Sequence, residues 1–331
     1  MTPLFQARLL NPPFGDPALY VRLQGEGTAL LFDLGDISRI SPRLLLKISE
    51  VYISHTHIDH FIGIDHLLRL NLGRDRVLHL YGPPGILAGI NGKLKGYTWN
   101  LTENYPFTLH VHEIGSRSIR SRCFACRDRF RPGSEKRTAF NGTVVNHSHY
   151  RVLAQRLDHN GIVSLAYRLE EHFHININRD ALVRRGLPVG PWLQALKTRI
   201  RAGAPDDTMI TVPAAGTQQG AALSLGELRR KIVHITRGEI IAYVSDSGVT
   251  PANIKKIRTL ASGADHFFCE AAFLERDAAR ARRSGHFTAR QAGLLARDCG
   301  AKKLTVFHFS PRYESLPDTP EQEAAAAFHG E

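Results

Sequence analysis

Four cysteines in 331 residues, with no regular spacing, give no disulfide framework. That scarcity fits a reducing compartment. No apolar run approaches the roughly 20 residues that a membrane helix needs. From Met1 to Pro13 the only charge is Arg8 and no sustained apolar stretch follows it, so no signal peptide is expected. A cytoplasmic protein without membrane attachment is the expectation. Disorder is excluded as well, since 43% hydrophobic against 22% charged residues is an ordinary globular composition. Acidic residues are also in short supply. Lys and Arg number 43 against 31 for Asp and Glu, a formal charge of +12. The excess concentrates between Arg117 and Arg137, between Arg179 and Arg201, and between Arg276 and Arg290. One such cluster is usually a solvated face. Three of them flanking ligand-bearing motifs suit a phosphate backbone.

What the chain does have is Val51-Tyr-Ile-Ser-His55-Thr-His57-Ile-Asp59-His60. Three imidazoles and a carboxylate within six positions, directly after a β-prone run, make poor core and poor surface. Imidazole nitrogens and carboxylate oxygens are the donors that a borderline ion such as Zn²⁺ takes. His55 and His57 project to one side of an extended strand end, while Asp59 and His60 can reach a second ion beside the first.

Other strands end on isolated polar residues. Ala29 to Asp33 closes on Asp33, a candidate to brace the metal loop through hydrogen bonds. His159 precedes the strand Val163 to Leu169. Glu239 to Val244 leads to Asp246, Asp265 to Glu270 closes on Glu270, and Leu304 to Phe307 leads to His308. Ser41-Pro42 and Thr250-Pro251 open helices, and Thr288 to Gln291 is a capping box. His110 and His112 sit on an alternating strand, Phe107 to Ile114, and face away from its core side. Residues 115–150 read as a basic insertion. Their Cys123-Phe-Ala-Cys126 pair, with His147 and His149, offers a small structural zinc site, although the histidine spacing is not that of a finger. Residues 170–228 lack periodicity and read as a protrusion with little core of its own, and the tail after Pro317 as weakly ordered.

His-Thr-His-Ile-Asp-His after a strand, with later single ligands, resembles the metallo-β-lactamase superfamily, and within it the ribonuclease Z family, endonucleases that trim the 3′ end of precursor tRNA. The likeness runs from Leu30-Leu-Phe-Asp33 to Tyr313. Leu157-Asp-His159 with Ser164-Leu-Ala-Tyr-Arg168, Gly186-Leu-Pro-Val-Gly190-Pro191, Ser245-Asp246, Cys269-Glu270-Ala-Ala-Phe273, His286-Phe-Thr-Ala289 and His308-Phe-Ser-Pro-Arg-Tyr313 resemble its later motifs. Three positions depart from them: Ser245 for glycine, Cys269 for histidine and Ala272 for threonine.

The resemblance implies an α/β fold, an αββα sandwich of two mixed sheets flanked by helices, in one domain spanning 1–331 with the protruding arm at about 170–228. It implies two Zn²⁺ per chain, with Mn²⁺ or Fe²⁺ as substitutes, one held by His55, His57 and His159, the other by Asp59, His60 and His308, and Asp246 shared. A metal-bridged hydroxide would attack phosphorus, Asp59 would orient it, and His286 steered by Glu270 would serve the departing oxygen. Gly190, Pro191, Arg184 and Arg185 would grip precursor tRNA, and the protein would be a homodimer. Two other readings stay open: an orphan hydrolase of the same fold acting on another phosphodiester or ester, and a basic nucleic-acid-binding protein whose metal is structural.

Overall fold

In a computed structural model of the chain, residues 3–213, 220–316 and 319–331 are described. Eight strands lie in sequence order across one sheet: Phe5–Leu9, Leu19–Leu23, Ala29–Phe32, Ile48–Tyr52, Val77–Gly82, Thr108–Ile114, Ser118–Ala125 and Lys136–Ala139. The pairing is antiparallel at both edges and parallel from Ala29–Phe32 through Thr108–Ile114. Parallel strands covered on both faces explain the unbroken apolar run Ala29 to Phe32. A second sheet has the order Leu304–Phe307, His266–Glu270, Ile240–Val244, Ile162–Glu171, Tyr150–His159, Thr143–Asn146.

Side chains alternate across these strands, so each sheet has two jobs. Leu31, Val51, Leu80, Leu109 and Val111 pack with Leu67, Leu68 and Ile90 of the helices Ile64–Asn71 and Ile86–Lys95. Phe32 and Tyr52 point the other way, stacked with centroids 5.0 Å apart, and meet Tyr167 and Tyr243 of the second sheet. The outer face of that second sheet, with Ala242, Val244 and Phe267, packs on the helices Pro251–Ala261 and Ala289–Asp298. The result is the expected αββα sandwich of two mixed sheets. The Thr250 and Thr288 caps form as read, the latter as a capping box with Gln291.

Three expectations are corrected. Residues 115–150 are not an appended insertion. Ser118–Ala125 and Lys136–Ala139 extend the first sheet, and Thr143–Asn146 opens the edge of the second. Charged side chains on the exposed positions of these strands hid the period: Ile119 and Phe124 are buried partners of Ile114 and Leu109, while Arg120 and Arg122 lie between them. Cys126 is core beside Phe107 and Phe130, and neither it nor Cys123 joins any metal-sized group among the described residues. Secondly, residues 146–151 and 170–239 form a compact unit of their own. Leu182, Trp192, Leu196, Ile200, Leu225 and Leu228 make its core, which its short helices and strands, 4 to 10 residues each, had concealed. Thirdly, although Pro317 and Asp318 lie outside the described residues, the tail beyond them is the capped helix Pro320–His329.

That helix docks on Ala289–Asp298 through Gly293, where an added Cβ would stand 2.3 Å from the Ala324 carbonyl oxygen. Gly→Ala inside a helix ordinarily gains about 1 kcal/mol, but overpacking against backbone costs about 1–3 kcal/mol. Overpacking therefore wins, and Gly293→Ala should lower the denaturant midpoint.

Candidate metal centre

The histidine turn leaves the Ile48–Tyr52 strand at Ser54 and is clamped from beside it. Leu34 N–H donates to the His60 carbonyl at 2.9 Å, and Gly63 N–H to the Leu34 carbonyl at 2.9 Å. Backbones cross so closely here that a Cβ on Gly63 would lie 2.4 Å from the Gly35 carbonyl oxygen. Only glycine fits at 63.

Asp33, fully buried, ties this turn to both sheets. Its Oδ1 accepts from Ser54 N–H at 2.6 Å. Its Oδ2 accepts from Ser54 Oγ at 2.8 Å, Tyr243 Oη at 2.8 Å and His60 Nδ1 at 2.9 Å. Asp33 sits in the left-handed region at φ 57°, as does His308 at φ 64°. Asp and His are among the residues found there more often than most, and such strain persists where the surroundings hold a residue in place.

Asp246 stands at the middle. Its Oδ2 is 3.6 Å from His55 Nε2, 3.5 Å from His60 Nε2 and 3.7 Å from His159 Nε2, and its Oδ1 is 2.8 Å from His308 Nδ1. The ligand atoms fall into metal-sized groups, His55–His57–His159–Asp246 and Asp59–His60–His308. Three of the five rings are aimed by their other nitrogen, as ligand histidines are: His159 Nδ1 by the Gly285 carbonyl at 2.9 Å, His60 Nδ1 by Asp33 and His55 Nδ1 by Ser54 Oγ at 3.0 Å. A third group adds Glu270 and His286 to Asp246 and His308. His286 Nδ1 lies 3.0 Å from Glu270 Oε2, and Glu270 Oε1 accepts from Ser247 and Phe287 N–H.

These residues fit a divalent ion. His55 Nε2 and His60 Nε2 are buried and lack a hydrogen bond, a deficit of about 1–3 kcal/mol apiece that a cation would remove. The titration of the pocket agrees. Burial pushes the His55 ring down to about 2, with the neighbouring His60 reinforcing it. Burial also opposes charge on His308 and His60, but Asp246 outweighs it, raising His308 to about 10 and His60 well above the ordinary range. Asp246 resists burial through His308 and His60 and is held well below the carboxylate range. Positive charge is favoured beside Asp246, at His60 and His308, and opposed by burial at His55.

Sequence reasoning missed Ser54 and Tyr243 as Asp33's partners. The signal in Tyr243 was a hydroxyl inside a fully buried strand, which must find an acceptor. The departures from the family pattern are accommodated: Ser245 Oγ donates to Asp246 Oδ1 at 3.3 Å, and Cys269 points into the helix-side core. Gly190, Pro191, Arg184 and Arg185 belong to the other compact unit. Pro191 precedes the helix Trp192–Arg201, and both arginines are exposed.

No protein-family model matches the chain. A ribonuclease Z of Deinococcus radiodurans is 32% identical, over 94% of this chain and 91% of its own. The chain belongs to the ribonuclease Z family. Another ribonuclease Z, from Methanothermobacter thermautotrophicus, is 27% identical over 89% of this chain and 81% of its own. Among solved structures the short form of human tRNase Z superposes with a TM-score of 0.53 at 20% identity, covering 93% of this chain and 91% of that one. The metallo-β-lactamase fold protein YhfI of Bacillus subtilis reaches 0.51 at 14% identity, with 95% and 86% covered. At those identities the likeness concerns the fold, which is the metallo-β-lactamase fold.

Proposed function

We propose that this ribonuclease Z family member is a metal-dependent endoribonuclease that removes the 3′ trailer of precursor tRNA, working as a cytoplasmic homodimer with two Zn²⁺ per chain. The reading is carried by the gathering of six donors from distant parts of the chain around Asp246, in a chain of this family. The basic excess and a relative named for tRNA support RNA as the substrate. His55, His57 and His159 would hold one ion, Asp59, His60 and His308 the other, with Asp246 common to both; the same donors accept Mn²⁺ or Fe²⁺. When bound, the cations supply a nucleophilic water at neutral pH and offset charge on the phosphate.

The chain's own groups do the rest. Asp33 fixes the His60 tautomer by taking its Nδ1 proton in a hydrogen bond. Glu270 does the same for His286, which leaves Nε2 as the atom that delivers a proton to the departing ribose 3′ oxygen. Asp59, half-buried with Oδ2 3.1 Å from His308 Nε2, orients the attacking water.

The test is incubation with a 3′-extended precursor tRNA and, separately, with bis-p-nitrophenyl phosphate. Cleavage of the chromogenic ester alone would leave a hydrolase of another phosphodiester or ester in place of the tRNA reading. Arg184→Ala combined with Arg185→Ala should raise KM for precursor tRNA, leave ester turnover unchanged, and reduce the slope of log K against log salt by about 2, one for each phosphate contact. An unchanged slope would remove these arginines from RNA binding.

A further inference from the structure

Three more imidazoles meet elsewhere on the first sheet. His79 lies on Val77–Gly82, and His110 and His112 on Thr108–Ile114, in a parallel register that sets His79 beside His110 and Tyr81 beside His112. Leu78, Leu80, Leu109 and Val111, the alternate residues, fill the helix-side core, so the three rings share the opposite face, each half-buried. His79 Nδ1 is 3.1 Å from His112 Nε2, and one nitrogen of each ring lies within 4.8 Å of the other two. His112 Nδ1 is 2.8 Å from Ser121 Oγ, and its ring stacks on Tyr81 with centroids 4.4 Å apart.

We propose that His79, His110 and His112 form a second metal site, separate from the Asp246 centre, that takes a divalent transition ion, Zn²⁺ foremost. Three imidazoles favour zinc, copper or nickel over magnesium or calcium, and Glu50, in register beside His79 on the next strand, lies outside the metal-sized group. Tetrahedral Zn–N bonds of 2.0–2.1 Å place two ligand nitrogens ~3.3 Å apart. His79 and His112 already stand at that spacing, and His110 closes the remainder by a side-chain adjustment of ~1.5 Å at most on the same bond lengths. Ser121 supplies the aiming contact. Accepting the Nδ1 proton of His112, it leaves the Nε2 lone pair directed at the group, as outer partners of ligand histidines do. The competing arrangement is a ladder of imidazole hydrogen bonds, with one proton shared between His79 and His112.

Both arrangements keep the rings together, but only one takes up an ion. The full-length protein is stripped with a chelator, reloaded with excess Zn²⁺, desalted and assayed for zinc. It should retain one equivalent per chain more than His110→Gln or His112→Phe, the second of which keeps an aromatic ring on Tyr81. Circular dichroism and ester turnover should match wild type. Ser121→Ala should weaken binding of that extra equivalent about 10–100-fold. In the wild-type chain, Zn²⁺ should also shield these three histidines from diethyl pyrocarbonate. Equal zinc in wild type and both variants, or no shielding, would overturn the site. Neither readout depends on what the Asp246 centre cleaves, and zinc held at that centre cancels in the comparison.

Discussion

His286→Ala should keep its metal and its affinity for RNA while turnover falls by about 10²–10⁴-fold, the range for losing a positioned proton donor. The geometry sets this residue apart from the other histidines. Its Nδ1 is occupied by Glu270, and Glu270 is itself held by two backbone N–H groups. His286 therefore has one nitrogen to offer, and it is not needed to complete either set of metal donors. Glu270→Gln should cost less, about 10–100-fold, because the ring loses its orientation but not its presence. Single-turnover cleavage, filter binding and zinc content, measured together on the alanine variant, decide the matter. Loss of zinc along with the ring would make His286 a ligand and contradict the proton-donor role.

Asp33→Ala is expected to destabilise the fold by about 3–5 kcal/mol, the usual cost of removing one partner from a buried charged network. Four donors converge on this carboxylate: Ser54 N–H, Ser54 Oγ, Tyr243 Oη and His60 Nδ1. None can turn to solvent, since Ser54, Tyr243 and His60 are all buried. Asp33→Asn is no rescue, because its amide presents N–H groups to donors. The urea midpoint of the metal-free protein should fall for both variants, and zinc affinity with it as His60 loses its orientation. A midpoint within error of wild type would mean that Asp33 is a turn residue and nothing more.

Much of the centre could be read from residue order, because a polar residue after an apolar strand must emerge at that strand's end. Asp33, His55, Asp246, Glu270 and His308 all follow that rule. Other features depend on pairing, which no single segment carries. His79 joins His110 and His112 only because two parallel strands align in one register. The Trp192, Leu196 and Ile200 spacing is too short a stripe to stand out among Gly, Pro and charged residues, and its partners, Leu225 and Leu228, lie across a gap in sequence. The tail helix announced itself only by Thr319-Pro320 and a run of alanines. Alanine has the propensity for a helix but little apolar surface with which to advertise a docking face.

One further consequence lies in where the donors come from. His55 to His60 precede the midpoint of the chain, whereas Asp246 and His308 arrive from the second sheet. During synthesis the early histidines leave the ribosome some 250 residues ahead of their last companion, a delay of roughly 10–50 seconds at ordinary translation rates. A nascent chain therefore carries an imidazole-rich half-cage with no lid. A chain truncated before His308 would lack a donor of the proposed centre and should not cleave RNA, even where its basic residues still bind it.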